Sequence, residues 1–377
     1  MQVSAKNLNF IWLMRRTVVA AVVAAGIVSA NPVSAYERPA QSIKPAGVTI
    51  NLAQVLSWIG DGVFAVGRWD GTISVFRTPV QNEYGPAILQ AMSTPSGRGI
   101  EMLASTDDSS FFTSDGPSRL ALWRRKGAGA PFELAANPGY DLAVGTANSG
   151  LALTASGAEY FVSGHESGRV LIWRRESDGQ YRLTNTVDVS SPDKPANPSD
   201  LRNIRGLAAW RGDRVISGSE DGDLVAISIP DGELLFRHRY NASAQRGINA
   251  LSLAGEILAV ANCAVGAADK NIWLFDLSAG SPKLVDAENL AIDPGRSQTF
   301  NFDVDLISVP GETGAPAVSF FSSTEEGLIW GGRIDDNQLI VTGVTKVSPE
   351  GGAVMAVAPK GGFVAVAAYA IRLFKTD

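Results

Sequence analysis

The sequence predicts an all-β fold, a seven-bladed β-propeller, on the strength of three observations. A phrase of two short apolar strands around a small or acidic turn recurs seven times. The ends of these phrases are 43 to 56 residues apart, which is the length of one four-stranded propeller blade. No window after the N-terminal leader has the apolar period of a helix. The phrases end at Phe76, Trp123, Trp173, Ile227, Phe275, Gly331 and Phe374.

The residues inside each phrase predict paired strands. Apolar side chains alternate, as at Ile73 and Val75, so that one face of each strand is apolar. Asp70-Gly71 and Asp221-Gly222 stand between two such runs, where a tight hairpin needs the positive φ that glycine adopts without strain. Each phrase is therefore expected to form a β-hairpin.

The phrases resemble the second half of WD40 repeats, in the runs Ser163–Gly168 and Ser217–Gly222 above all. No phrase ends in the Trp-Asp pair of that family, and no Gly-His pair precedes a first strand. The resemblance implies a propeller in which a strand near the N-terminus, expected at Val48–Leu52, completes the last blade beside the C-terminal strand. That pairing would remove an open sheet edge.

The N-terminus is predicted to be a cleaved export signal. Arg15 and Arg16 precede a twelve-residue apolar run, and Val33-Ser34-Ala35 has the small residues of a cleavage site. The run is too short for a membrane anchor, which needs about 20 residues. The expected organisation is a signal at 1–35, a linker at 36–47 and the propeller at 48–377. Synthesis from Met14 and export by the general or the twin-arginine route are left open.

Charge and cysteine content narrow the partners and the compartment. Without residues 1–35 the chain has 29 basic and 38 acidic residues, a net charge of −9, which disfavours nucleic acid and anionic membranes. Cys263 is the only cysteine, so no internal disulfide can form. We expect a monomer without a membrane anchor, either periplasmic or secreted.

The sequence predicts no enzyme and no cofactor, because it contains no nucleophile elbow, phosphate loop or dinucleotide motif. The weak candidates for a metal site are Asp303 and Asp305, which lie at strand spacing and could face the central channel. Two solvated carboxylates at a strand entrance are the plainer interpretation. The alternative function is therefore a lactonase-type propeller hydrolase that uses channel carboxylates and a divalent cation.

The preferred function is a non-enzymatic scaffold outside the cytoplasm that binds a protein or peptide. Trp69 in a turn is a candidate anchor, which also leaves a carbohydrate sensor open. His165 is either a functional group or a turn residue bonded to backbone. Basic residues after the third strands suggest an acidic partner, or only solvated strand ends. The candidate interaction residues are Arg68, Trp69, Asp70, Arg124, Arg125, His165, Glu166, Arg174, Arg175, Glu220 and Asp221.

Two segments complete the sequence analysis. Ser190–Asn203 contains three prolines and is predicted to be the longest loop, where function or plain disorder is equally consistent with the composition. Gly127–Gly150 fits the repeat poorly, so its strands are not assigned.

Overall fold

A computed structural model describes most of the chain after residue 39. The described residues are 40–43, 53–79, 86–192, 201–241, 247–264, 268–293, 299–310, 316–348, 351–352, 354–368 and 370–376. The predicted signal at 1–35 and the predicted closing strand at 48–52 lie outside these ranges.

The described residues form antiparallel strands with one short 3₁₀ turn at Leu142–Val144. The strands are β1 (Ala40–Ile43), β2 (Ala53–Trp58), β3 (Val63–Arg68), β4 (Thr72–Arg77), β5 (Ala87–Ser93), β6 (Met102–Asp107), β7 (Ser110–Ser114), β8 (Leu120–Arg124), β9 (Glu133–Ala136), β10 (Ala147–Ala155), β11 (Ala158–His165), β12 (Arg169–Arg175), β13 (Tyr181–Asp188) and β14 (Ile204–Trp210). They continue as β15 (Arg214–Ser219), β16 (Asp223–Ser228), β17 (Leu234–Arg239), β18 (Ile248–Ala254), β19 (Ile257–Ala264), β20 (Ile272–Asp276), β21 (Lys283–Glu288), β22 (Thr299–Pro310), β23 (Pro316–Thr324), β24 (Leu328–Asp335), β25 (Gln338–Lys346), β26 (Val354–Val357), β27 (Phe363–Ala367) and β28 (Ile371–Lys375).

These strands form a propeller-like set of sheets, in which most strands pair with a neighbour in the sequence and β1 pairs with β28. Four-stranded sheets are made by β2–β5, β6–β9, β10–β13 and β14–β17, and a fifth by β1 with β26–β28. The strands β18–β25 form one eight-stranded sheet, because β19 continues to Ala264 and pairs there with β22. That junction consists of two residue pairs, Cys263 with Phe300 and Ala264 with Thr299. The all-β class and the propeller-like arrangement are therefore confirmed.

The apolar core lies between neighbouring sheets, since no single sheet can cover both of its own faces. Phe112 of one sheet and Phe161 of the next stack with ring centroids 4.3 Å apart. Phe64 and Phe76 of the first sheet lie in one buried apolar cluster with Leu373 of the last sheet. Glycines allow the inner strands to approach, because a Cβ at Gly206 would come within 2.7 Å of Leu251.

The N-terminal side of the fold differs from the expectation in position. The strand that pairs with β28 is β1, with Ala40 opposite Leu373 and Ile43 opposite Ile371. It lies inside the segment expected to be a linker. The edge of β28 has backbone N–H and C=O groups that need partners, and an extended segment provides them by pairing as a strand. The unassigned segment 127–150 contains β9, the 3₁₀ turn and the start of β10.

Nothing among the helical residues resembles a membrane span. The helical turn at Leu142–Val144 has three residues, and no helix in the described ranges is long and apolar enough to cross a bilayer.

Candidate functional site at the channel mouth

The first strands of the repeats converge on a central cavity of about 270 Å³. Residues from β2, β6, β10, β14, β18, β22 and β26 line it, so that every sheet contributes its inner strand. Its polar lining residues are Gln54, Asn148, Ser149, Arg205, Asp303 and Asp305. The end of the cavity where the inner strands begin is called the channel mouth below.

Bulges in the inner strands set the polar groups at the channel mouth. The pairing register shifts between Ala53 and Val55, and the same shift recurs at the start of β10 and β14. The extra residue at each bulge is Gln54, Asn148 or Arg205, and each of these lines the cavity. A bulge turns a side chain away from the regular alternation, which is how these polar groups reach the cavity without leaving the sheet.

Arg205 is the cation of the channel mouth, and acidic residues surround it. Its Nε donates to Glu220 Oε1 at 2.7 Å, while Asn203 Nδ2 donates to the other oxygen of Glu220 at 3.2 Å. Burial lowers the pKa of Arg205, but the carboxylates of Glu220, Glu101 and Glu166 more than offset this, so that its pKa is raised. At the mouth, three carboxylates therefore act on the guanidinium group of Arg205.

Asp303 and Asp305 lie on the cavity wall, where both bond to the neighbouring inner strand. Asp303 Oδ2 accepts from the backbone N–H of Met355 at 3.1 Å, and Asp305 Oδ2 accepts from that of Val357 at 2.8 Å. Burial raises the pKa of Asp303 to about 6. Burial, together with the charge of Asp303, raises the pKa of Asp305 to about 7.

These contacts repeat between other inner strands with different side chains. Ser252 Oγ accepts from the backbone N–H of Leu306 at 2.9 Å, at the position in β18 that Asp305 occupies in β22. Ser149 Oγ donates to the carbonyl of Ile204 at 2.8 Å. Polar side chains on one inner strand thus satisfy the unpaired backbone edge of the next. The plainer interpretation expected two solvated carboxylates at a strand entrance. Instead, Asp303 and Asp305 are both hydrogen-bonded within the cavity wall.

Metal ligation by these two carboxylates finds little further support in the structure. The described residues contain no group of three or more His, Cys, Asp or Glu side chains placed to hold a metal ion. One oxygen of each carboxylate accepts a backbone N–H, which leaves one oxygen of Asp303 and one of Asp305. A calcium ion takes six or more oxygen ligands.

Four of the predicted interaction residues lie at the channel-mouth end of the fold. Trp69 and Asp70 are half-buried in the turn between β3 and β4, where Asp70 Oδ1 accepts from the backbone N–H of Thr72. Glu166 is exposed in the turn after β11, and its Oε2 accepts from the N–H of Thr146 at 2.9 Å. Glu220 holds Arg205, as described above. The structure brings these four turn residues to one face.

Three further candidates are buried in structural contacts at that end. His165 is fully buried, with Nε2 2.8 Å from Ser163 Oγ and its ring 4.8 Å from that of Tyr140. Burial lowers the pKa of His165 to about 4, so the ring is neutral at pH 7. Arg68 donates to Ser74 Oγ at 2.8 Å, and Asp221 accepts from Ser219 Oγ and the N–H of Ser191. These side chains hold turns and strands together.

The basic candidates lie at the opposite end of the sheets, and three of the four make local contacts. Arg124 donates to the carbonyl of Gly179, and Arg125 donates to that of Asp108 at 3.1 Å. Arg175 pairs with Asp107 at 2.9 Å and Glu159 at 2.7 Å. Arg174 is exposed, whereas the other three are half-buried. These four arginines therefore do not form a continuous arc of unpaired guanidinium groups.

Gln54, Asn148 and Arg205 are channel residues that the sequence analysis missed. Each is the second residue of an inner strand, but the alternation of apolar residues does not reveal a bulge. A repeat alignment that marked this position in every unit would have found a polar side chain at Gln54, Asn148, Arg205 and Asn249.

Ser163→Ala is expected to destabilise the protein by about 1–3 kcal/mol, because Trp173 Nε1 donates to this hydroxyl at 3.0 Å and His165 Nε2 contacts it in a fully buried position. Urea unfolding of the purified protein measures the change. Ser190→Ala, at a half-buried hydroxyl that donates to the exposed carboxylate of Asp188, is the matched control and is expected to cost less than about 1 kcal/mol. Equal losses for the two variants would contradict a structural role for this buried contact.

Comparison with known proteins adds no relative. Neither a scan against protein-family models nor a search of curated proteins finds a match to this chain.

Proposed function

We propose that this chain is an exported, non-enzymatic scaffold, a seven-bladed propeller of WD40 type, which binds a protein or peptide partner at its channel mouth. The seven-blade count treats the eight-stranded sheet as two blades, β18–β21 and β22–β25, which among the described residues are joined by the two pairs between β19 and β22. Seven inner strands lining one cavity support that count.

The observation that carries the proposal is an open cavity with charged turn residues around its mouth. The two carboxylates in its lining, Asp303 and Asp305, each accept a backbone N–H, and the described residues contain no group of three or more side chains placed to hold a metal ion. His165 and Cys263 do not line the cavity in the described part of the chain. The surrounding turns are held by backbone hydrogen bonds, such as Glu166 N–H to Thr146 O at 3.0 Å. A rigid ring with polar turns is suited to binding a partner without ordering a flexible loop.

The test is partner binding by the mature protein with charges reversed at either end. Glu101→Lys with Glu166→Lys changes the mouth, whereas Glu133→Lys with Glu176→Lys changes exposed residues away from it. A partner isolated by cross-linking from the native host is purified and titrated against each protein. We expect the mouth variant to bind at least about tenfold more weakly and the control variant to bind as the original does. The intact mass of the protein from its native host is expected to match a chain that begins at Tyr36.

Two results would reject the proposal. One is a partner whose affinity is unchanged by reversal at the mouth. The other is a partner that is lost only when Arg174 and Arg124, at the opposite end, are reversed to glutamate, since that would return the interaction to the basic residues.

A further inference from the structure

The lining of the central cavity has an uneven charge. Among the described residues that line the cavity, Arg205 is the only cation, whereas Asp303 and Asp305 face the same space. Glu101, Glu166 and Glu220 act on Arg205 at the mouth. Nε of Arg205 is already bonded to Glu220. The excess of carboxylates makes the cavity unfavourable for an anion and favourable for a cation.

Most of the remaining lining residues are apolar. Leu56, Leu103, Leu207, Leu251 and Met355 line the cavity beside the carboxylates. A volume of about 270 Å³ is at the small end for ligand pockets, so it suits one side chain or a small organic molecule rather than a folded segment. Apolar walls beside a buried carboxylate match an aliphatic stem that carries a charged head.

We propose that this cavity binds an ammonium or guanidinium group on an aliphatic stem, with Asp303 and Asp305 receiving the cation. This inference rests on the proposed function in one respect, namely that the channel mouth is the binding end. The shared chemistry could come from a lysine or arginine side chain of a partner or from a free small amine. A bare divalent ion is disfavoured, because one oxygen of each carboxylate already accepts a backbone N–H.

The raised pKa values of Asp303 and Asp305 predict how cation binding depends on pH. Burial holds the pKa of Asp303 at about 6 and that of Asp305 at about 7, so at pH 5 both carboxyls are largely protonated and uncharged. The neighbouring strands β18, β23 and β26 carry no titratable residue, and β19 carries Cys263. The other charged groups around the cavity are Arg205, Glu101, Glu166 and Glu220. A bound cation favours the ionised carboxylates, so its affinity should rise with pH.

The experiment is calorimetric titration of the full-length mature protein at low ionic strength and pH 8. The probes are acetylated, amidated peptides of sequence Gly-Ala-X-Ala-Gly, with X as lysine, arginine or norleucine, together with cadaverine as a free amine. We expect at least one charged probe to bind about tenfold or more tightly than the norleucine peptide. Asp303→Asn with Asp305→Asn should abolish that difference, and pH 5 should weaken binding of the original protein by about tenfold or more.

Controls separate charge from folding. Asparagine keeps an oxygen that can accept from Met355 and Val357, and a thermal melt checks that the double variant is folded. Glu133→Gln with Glu176→Gln removes two exposed charges elsewhere and should leave binding unchanged. Tighter binding of the peptides identifies a partner's side chain as the source, whereas tighter binding of cadaverine identifies a free amine.

The inference is overturned if the norleucine peptide binds as well as the charged probes, if no charged probe binds, or if the double asparagine variant binds unchanged. Its failure is distinguishable from failure of the proposed function. A protein partner that needs Glu101 and Glu166 but binds the double asparagine variant unchanged would support the scaffold function and contradict the cation site. Binding of cadaverine without any protein partner would support the cation site and contradict the scaffold function.

Discussion

The change in stability caused by replacing Asp303 and Asp305 with asparagine is expected to be about 4 kcal/mol more favourable at pH 8 than at pH 5. In the folded chain the two pKa values are raised to about 6 and about 7, whereas an unfolded aspartate titrates near 3.9. Between about pH 4 and pH 7 the folded state therefore holds protons that the unfolded state has lost. Because of this, the free energy of unfolding falls as the pH rises through that window.

The measurement is urea unfolding of both proteins from pH 5 to pH 8, since guanidinium is itself a cation that the cavity is proposed to bind. His165 acts in the opposite direction: its folded pKa of about 4 makes its contribution present above pH 6.5 and lost as the pH falls. The pKa of His238 is also lowered by burial. Both histidines are common to the two proteins, so the difference between the proteins isolates the aspartates. Parallel curves from pH 5 to pH 8 would show that the two carboxyls titrate normally.

Asp223→Ala is expected to lower the free energy of unfolding by about 3 kcal/mol, which is at the low end for breaking a buried ion pair because the arginines are partly exposed. Asp223 is buried, with its two oxygens 2.8 Å from Arg237 Nη1 and 2.8 Å from Arg239 Nε. The same arginines donate to Val189 O and to Ser191 Oγ, at the start of the proline-containing insert. Losing Asp223 leaves two guanidinium groups beside the core without their anion.

The matched control for Asp223→Ala is Asp335→Ala, which removes a carboxylate 3.8 Å from Arg333 on an exposed strand end. Exposed pairs contribute about 0–1 kcal/mol, so this variant should unfold nearly as the original protein does. Hydrogen exchange of the amides at 189–191 should accelerate in Asp223→Ala and not in the control. If Asp223→Ala lowers the free energy of unfolding by less than about 1 kcal/mol, the prediction is wrong, and water or another anion replaces Asp223 beside the arginines.

Local pattern predicted the strands well, because alternation and turn glycines are properties of short segments. Ile73 and Val75, chosen for their alternation, are fully buried in β4, and Gly71 and Gly222 adopt positive φ in the turns. The aromatic phrase ends Phe76, Trp123 and Trp173 are buried in the clusters between sheets. The position of the closing strand could not be read in the same way, since β1 is defined by its pairing with β28 rather than by its own four residues.

The candidate site was predicted less well, because a side chain's surroundings are not visible in its own segment. His165 and Asp221 stood out as polar residues in turns, yet both are fully buried in local hydrogen bonds. Arg175 stood out as a basic strand end, but it pairs with Glu159 on the adjoining strand and with Asp107 of the preceding sheet. Asp303 and Asp305 were chosen for their strand spacing, and they do line the cavity.

What the sequence by itself determined is the repeating unit: its strands, its turns and the apolar faces that must be covered by a neighbour. These follow from periodicity and from the backbone freedom of glycine, both of which act over a few residues. Only the tertiary structure decided which polar groups meet. Arg205 reaches the cavity through a bulge, Glu220 comes to it from a turn 15 residues later, and Asp305 bonds to a strand 52 residues away. Such encounters depend on the packing of whole sheets around an axis, which no local pattern encodes.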